Sequence, residues 1–372
     1  MRVLVTGADG FIGKNLLLHL AERKDVEVVR FTRANDAGQL PDMLKGVDVV
    51  FHLAGVNRPQ DPAEFNSGNA GLSEVLAQAM RATGSSATVL YSSSIQAELD
   101  NPYGVSKRRA EDVLLALRDE RGVPVSVFRL PNVFGKWARP NYNSAVATFC
   151  HNIMHDLPIQ VNDPAAPLRL VYVDDVVAQF LAIMDGKAEA TPFVEVNPVY
   201  QTTVGELAEQ LYRFRDSRTS LVTERVGTGL VRALYSTYLS YMPHERFSYP
   251  VPMHGDDRGV FVEMLKTPDA GQFSFFTAHP GITRGGHYHH TKTEKFLVIK
   301  GTACFKFRHM LSGEMHELVT RGDKAEIVET VPGWTHDITN IGDDELVVML
   351  WANEILDRDR PDTYACPLTS AS

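Results

Sequence analysis

The chain has 372 residues, 44% of them hydrophobic and 22% charged, which suits two globular domains at roughly 100–200 residues each. Its net charge of −9, without any Lys/Arg block, argues against a nucleic-acid-binding surface. The opening "RVLVTG" is strand-like rather than a charged and then apolar leader, and no run of about 18 apolar residues offers a membrane span. Three scattered cysteines (Cys150, Cys304, Cys366) suit free thiols in a reducing compartment. A soluble cytoplasmic protein with no nucleic-acid or membrane partner is expected.

In chain order, "RVLVTG", "VEVVRFTR", "DVVFHLAG", "ATVLYSSS" and "VSVFRLPNVFG" are short β-branched runs. Helical patterns such as Lys14 to Arg23 and Ser106 to Arg118 lie between some of them. This rhythm predicts an open, doubly wound parallel α/β sheet of Rossmann type. "TGADGFIG" follows the first strand and opens a helix. Gly7, Gly10 and Gly13 let the backbone turn tightly and approach a pyrophosphate, with Phe11 and Ile12 in the helix N-terminus that supplies amide donors. The second strand ends "VVRFTRAND", with no carboxylate for a ribose 2′-hydroxyl but with Arg30 and Arg33 nearby; a guanidinium suits a 2′-phosphate, so NADP(H) is expected.

"SSS" at 92–94 precedes "PYGVSK", where Tyr103 and Lys107 stand four apart and share one helix face. A neighbouring ammonium favours phenolate, which brings the tyrosine's proton exchange toward neutrality, while a serine hydroxyl can bind a reacting carbonyl. "GKWARPNYNS" at 135–144 offers Lys136, Trp137, Arg139, Asn141 and Tyr142 to a nucleotide-sugar, and Arg169 could meet a diphosphate through its planar fork of donors.

Near Pro243 the texture changes. "GVFVEML", "FSFFTAH", "EKFLVIKG", "ACFKFRHM" and "ELVVMLWANEI" alternate between Gly, Pro and Asp punctuation, an antiparallel pattern that suits a jelly-roll barrel. Domains at 1–243 and 244–372 are expected. In "GITRGGHYHHTKTEKFLVIKG", His287 and His289 fall on one strand face and His290 on the other, and Glu294 can start the returning strand. His336 and Asn340 come later in "VPGWTHDITN". His287, His289, Glu294 and His336 make a plausible site for one borderline divalent ion.

The front motifs, together with "HLAG" at 52–55, Asn69, "RLPNVFG" at 129–135 and "VYVDDVV" at 171–177, resemble the extended short-chain dehydrogenase/reductase family over roughly residues 1–240. That resemblance implies Ser94 as the catalytic serine (with Ser93 a near alternative), Tyr103 as acid/base and Lys107 as its partner. Lys107 is also implied as a ribose ligand, and cofactor contacts are expected from Gly7, Gly10, Phe11, Ile12, Gly13, Arg33, Leu53, Ala54, Asn69, Tyr103 and Lys107. Substrate contacts are expected from Asn132, Lys136, Arg139, Asn141 and Arg169. Only eight residues separate Ser94 from Tyr103, where many members carry a long loop. Ser94 is followed by Ile95 and Gln96 rather than the acid–base pair of sugar-nucleotide dehydratases, which favours simple carbonyl reduction.

The back motifs, G-x5-H-x-H-x4-E-x6-G and G-x2-H-x3-N, resemble the cupin superfamily, with Pro332 displaced to lie immediately before Gly333. Zinc is expected because epimerisation transfers no electrons; Fe(II), Mn and Ni also fit the ligand set. "GGHYHH" is also similar to nucleotide-sugar keto-epimerases, where the histidine at the place of His287 is a base; here it reads as a ligand, leaving Glu294 or His316 as candidates for the base.

Both halves in this order resemble bifunctional capsular polysaccharide biosynthesis enzymes. The resemblance implies a UDP-4-keto-sugar substrate and a homodimer. It implies C3 epimerisation of UDP-2-acetamido-2,6-dideoxy-β-L-arabino-4-hexulose in the cupin, then NADPH reduction at C4 to UDP-N-acetyl-6-deoxy-L-talosamine on the way to L-fucosamine. The competing expectations are a reductase whose cupin is only structural, a non-enzymatic NADP-sensing scaffold, and an oxygen-using Fe cupin.

Overall fold

The computed structural model describes residues 1–372 except 60, 62, 253, 257, 258, 262–264, 266, 268–270, 355–358 and 369–372. Residues 262–264 of the expected strand "GVFVEML" and 355 of "ELVVMLWANEI" therefore lie outside the described residues. Contacts divide the chain into two compact units. One is Met1–Ser144 with Pro167–Thr202; the other is Ala145–Ala166 with Thr203–Ser372.

In the first unit, β1 (Arg2–Thr6), β2 (Glu27–Phe31), β3 (Val49–His52), β4 (Thr88–Ser94) and β5 (Val125–Leu130) form a parallel sheet in the order β2-β1-β3-β4-β5. Alternate residues of these strands feed two cores. Leu4, Val50, Val89 and Val127 meet Leu76, Met80, Leu114 and Leu117 of helices Leu72–Thr83 and Pro102–Arg121. Val3, Val5, Phe51 and Phe128 meet Leu16, Leu20, Val177 and Phe180 of helices Phe11–Ala21 and Val173–Met184. Both sheet faces are covered, which is why the strands read as nearly continuous apolar runs. Each fully buried Val, Leu or Phe side chain contributes about 1.5–3 kcal/mol. A small sheet of β6 (Asn132–Phe134), β7 (Pro167–Tyr172) and β8 (Tyr200–Thr203) follows. The order reverses between β1 and β3, so the chain leaves a crevice at their carboxyl ends.

Two helices start earlier than their apolar periodicity suggests. Gly10 sits in extended backbone ahead of Phe11, and Asn101 Oδ1 accepts the Gly104 N–H with Pro102 in the first helical turn.

The second unit is antiparallel where it is β. Its strands are β9 (Ser248–Pro250), β10 (His254–Asp256), β11 (Gly259–Phe261), β12 (Gln272–Ala278), β13 (Thr283–Tyr288), β14 (Glu294–Lys300), β15 (Thr302–His309), β16 (Met315–Arg321), β17 (Glu326–Glu329), β18 (Trp334–Asn340), β19 (Leu346–Ala352) and β20 (Tyr364–Ala365). Two five-stranded sheets run β12-β19-β14-β17-β9 and β16-β15-β18-β13-β20, and β10 pairs with β11. Phe296 of the first sheet meets Phe305 and His336 of the second, so their inner faces share a core.

Helices Ala145–Met154, Val204–Ser220 and Gly229–Leu239 also belong to this unit. The ion pair Arg218–Glu329 and the hydrogen bonds from Arg232 to Thr291 and from Ser236 to the His290 carbonyl tie these helices to the strands. The change of texture near Pro243 thus falls inside a compact unit rather than at its edge. Among the described residues, no helix is long and apolar enough to cross a membrane.

Under those helices, Lys295 and Glu329 form an ion pair with each residue no more than 3% exposed, and Lys295 Nζ also donates to Tyr249 Oη at 3.1 Å. Glu329→Gln would leave that ammonium buried without its counter-charge. The expected cost is about 3–5 kcal/mol, read as a lower denaturant midpoint at unchanged m-value.

Candidate functional site

The glycine turn lies where β1 ends. Gly7 has φ +66°, and a Cβ there would sit 2.6 Å from the Ala54 nitrogen; one on Gly13 would sit 2.3 Å from the Gly7 carbonyl oxygen. Backbone therefore occupies the space that side chains would fill, and no side chain caps the helix that starts at Phe11 and Ile12. The bare helix N-terminus and close backbone approach fit a dinucleotide pyrophosphate. Leu53 and Ala54 donate their amides to Thr6 O and Thr6 Oγ1, both at 3.2 Å, which holds the β3 end beside the turn. Asn69 is spent on structure: its amide exchanges 2.9 Å hydrogen bonds with Val56 N and O and donates to Ser106 Oγ. Arg30 pairs with Asp9 of the glycine turn at 2.7 Å, while Arg33 is exposed in the turn after β2.

At the end of β4 the two serines separate. Ser93 donates to Glu111, a buried carboxylate also held by Arg129, whereas Ser94 is hydrogen-bonded to Tyr103. Burial pushes the Tyr103 phenol above its ordinary value, and the Ser94 bond only partly offsets it. The depression expected from Lys107 is not seen. Lys107 Nζ instead donates to the Ser92 carbonyl at 2.8 Å and to Tyr91 Oη at 3.2 Å. Burial pushes Lys107 down to about 8, against an upward pull from Glu111. Tyr91, the partner of Lys107, belongs to none of the sequence motifs. Its signal is a phenol in a buried strand, whose hydroxyl needs a polar partner.

The loop after β6 is mixed. Lys136 departs from its expected role as a sugar-nucleotide ligand: it is 0% exposed and its ammonium pairs with Asp174 at 2.9 Å. Asn132, Arg139, Asn141 and Arg169 are exposed; Arg139 lies 5.1 Å over the Tyr142 ring, and Arg58 donates to the Tyr142 carbonyl.

The second unit gathers the four expected ligands. His287 stands on β13, His289 just after it, Glu294 opens β14 and His336 lies on β18, paired in register with His287. One ligand atom from each falls within 4.8 Å of every other. His289 Nε2 is 3.2 Å and His336 Nε2 is 3.4 Å from Glu294 Oε2, and Lys292 Nζ is 2.8 Å from Oε1. Burial, with His336 and His289 nearby, pushes His287 down to about 3. Burial alone would raise the Glu294 carboxyl, but His289 and His336 outweigh it and hold it well below the usual range. A neutral imidazole and a charged carboxylate are the forms that bind a divalent cation, so the donor set fits. His316, a candidate base on sequence grounds, is separated from the cup: Phe307 lies between, its ring centroid 6.3 Å from those of His316 and His336.

Residues 3–197, just over half of the chain, match a family described as NAD dependent epimerase/dehydratase. The chain belongs to the NAD dependent epimerase/dehydratase family. Alongside that epimerase/dehydratase region, residues 254–364 match a polysaccharide biosynthesis C-terminal domain. The chain is 65% identical over 366 residues, 98% of each sequence, to a UDP-2-acetamido-2,6-beta-L-arabino-hexul-4-ose reductase of Pseudomonas aeruginosa. It is similar to the crystal structure of the capsular polysaccharide assembling protein CapF from Staphylococcus aureus, at 42% identity and TM-score 0.68, over 99% of this chain and 100% of that one. A UDP-glucuronic acid 4-epimerase of Bacillus cereus, solved with NAD, shares the fold at 20% identity and TM-score 0.52, over 57% of this chain and 83% of its own.

Proposed function

We propose that the chain is a two-site enzyme of surface-polysaccharide synthesis acting on a UDP-4-keto sugar. The first unit is an NADP-dependent C4 ketone reductase and the strands of the second form a cupin-type, zinc-holding C3 epimerase. Its substrate is UDP-2-acetamido-2,6-dideoxy-β-L-arabino-4-hexulose and its product UDP-N-acetyl-6-deoxy-L-talosamine, a precursor of L-fucosamine units. The carrying observation is the 65% identity, end to end, with a relative named as a reductase of that hexulose. A cytoplasmic homodimer fits the exposed Phe273 and Phe275 of edge strand β12.

In the reductase, Tyr103 gives its proton to the C4 oxygen, Ser94 hydrogen-bonds that oxygen, and the Lys107 ammonium keeps the surroundings positive. A phenol held above its ordinary pKa is protonated at neutral pH, the form a reduction requires. The glycine turn and Arg33 would hold the cofactor, which supplies a hydride when bound. In the cup, His287, His289, Glu294 and His336 would hold the ion, which when bound supplies positive charge for an enolate oxygen. Both Glu294 oxygens are engaged, by His289 and His336 on one side and Lys292 on the other.

The test is to incubate the full chain with that UDP-4-hexulose in deuterated water, with and without NADPH, and follow product stereochemistry by NMR. Deuterium should enter C3 without NADPH, and the talo product should accumulate with it. NADPH consumption without C3 exchange would retain the reductase alone.

Lys107 sets a pH limit. Its folded-state value lies near 8, so the ammonium is present below that pH and lost as pH rises through it. The kcat/KM for ketone reduction is expected to fall as pH rises through about 8; a profile flat to pH 10 would remove the ammonium from the mechanism.

A further inference from the structure

The turn that joins two of the four cup residues is held by a side chain far away in sequence. Asp362 Oδ1 accepts the His290 N–H at 2.9 Å, and its Oδ2 accepts the Thr291 and Lys292 N–H groups, each at 2.7 Å, and the Thr291 hydroxyl at 2.9 Å. One carboxylate thus satisfies three successive amides between His289 and Glu294. The Asp362 main-chain carbonyl accepts a hydrogen bond from the His289 ring at Nδ1. A carbonyl oxygen can only accept, so Nδ1 carries a proton and Nε2 is the ring nitrogen turned into the cup, 3.2 Å from Glu294 Oε2, where an ion would meet it.

The segment carrying Asp362 is itself anchored. In β20, Tyr364 and Ala365 pair with Tyr288 and His287, and the Cys366 amide donates to the Gly286 carbonyl at 2.7 Å. The Thr335 hydroxyl, next to His336, donates to the Cys366 carbonyl at 2.5 Å. Asp362 is therefore fixed against both strands that carry histidines of the cup.

We propose that Asp362 is the positioning residue of the His287–His289–Glu294–His336 cup, setting the His289 tautomer and the turn that spaces His289 from Glu294 for a borderline divalent ion. The proposal rests on the cup holding a metal. Partners outside the coordination shell that fix a histidine's orientation typically change metal affinity by about 10–100-fold when removed. Asp362→Asn nearly preserves shape, but its NH2 group cannot accept from the converging amides. Asp362→Glu keeps the acceptor charge on a longer arm.

The full-chain protein is titrated with Zn(II) against a chromophoric chelator and with Co(II) by visible absorption. Wild type should bind one ion. Asp362→Asn should bind about 10–100-fold more weakly, with a shifted Co(II) d–d band even at saturation, and Asp362→Glu should recover part of the affinity. A loss of thermal stability alone would not move the spectrum of a saturated site. Unchanged affinity and spectrum in Asp362→Asn overturn the proposal, whereas a wild type that binds no ion overturns the metal reading beneath it. If Asp362→Asn does not fold, hydrogen exchange on wild type decides: amides 290–292 should gain protection on adding Zn(II), and no gain overturns the coupling.

Discussion

Tyr103→Phe is expected to lower NADPH-dependent reduction of the 4-keto sugar by about 10²–10⁴-fold, the usual range for removing a positioned general acid. That loss corresponds to about 3–5 kcal/mol of transition-state stabilisation. The substitution removes one oxygen and keeps the ring, which packs against Phe65 with centroids 5.6 Å apart, so the helix that carries it should stay in place. Binding of NADPH, read by fluorescence titration, should change little, because the glycine turn that would cradle the pyrophosphate is untouched. Deuterium entry at C3, which the two-site reading assigns to the other unit, should be unaffected. Turnover within threefold of wild type would remove Tyr103 from the chemistry.

The geometry around Tyr103 also gives the prediction a direction in pH. Lys107 is committed to Tyr91 and the Ser92 carbonyl, so its influence on the phenol is not a direct hydrogen bond. Burial keeps the phenol protonated.

Much of this was legible in the chain because it is local. The five β-branched runs became β1 to β5, and the glycine spacing became a turn in which a Cβ has no room. The histidine spacing is local too, and Glu294 does open the returning strand. What was not legible depends on residues far away. The ammonium of Lys136 looks available in "GKWARPNYNS", yet Asp174 and full burial decide its role. The resemblance puts Ser94 ahead of Ser93 without a physical reason; Glu111, from the following helix, takes Ser93 and leaves Ser94 to Tyr103. His316 lies in the same row of side chains as His336, but the intervening ring of Phe307 separates them, a consequence of strand register. Asp362 has no local pattern around it, and its partners are all tertiary.

His289→Ala is expected to abolish the other activity and spare the reductase. The imidazole is 2% exposed and has Nε2 within 3.2 Å of Glu294 Oε2, so its loss removes a donor and leaves the carboxylate with one fewer partner. Zinc bound per chain should fall below half an equivalent at micromolar metal. Solvent deuterium entry at C3 should drop by at least about 10²–10³-fold, the cost of losing one preorganised stabiliser of developing oxyanion charge. Supplied with a ketone already epimerised at C3, the variant should still oxidise NADPH at the wild-type rate. That contrast separates the two-site reading from one in which the strands of the second unit serve only as scaffold. If the cup merely shaped the protein, losing the imidazole would lower stability and perturb both reactions, or neither, whereas a chemical role makes C3 exchange fail alone.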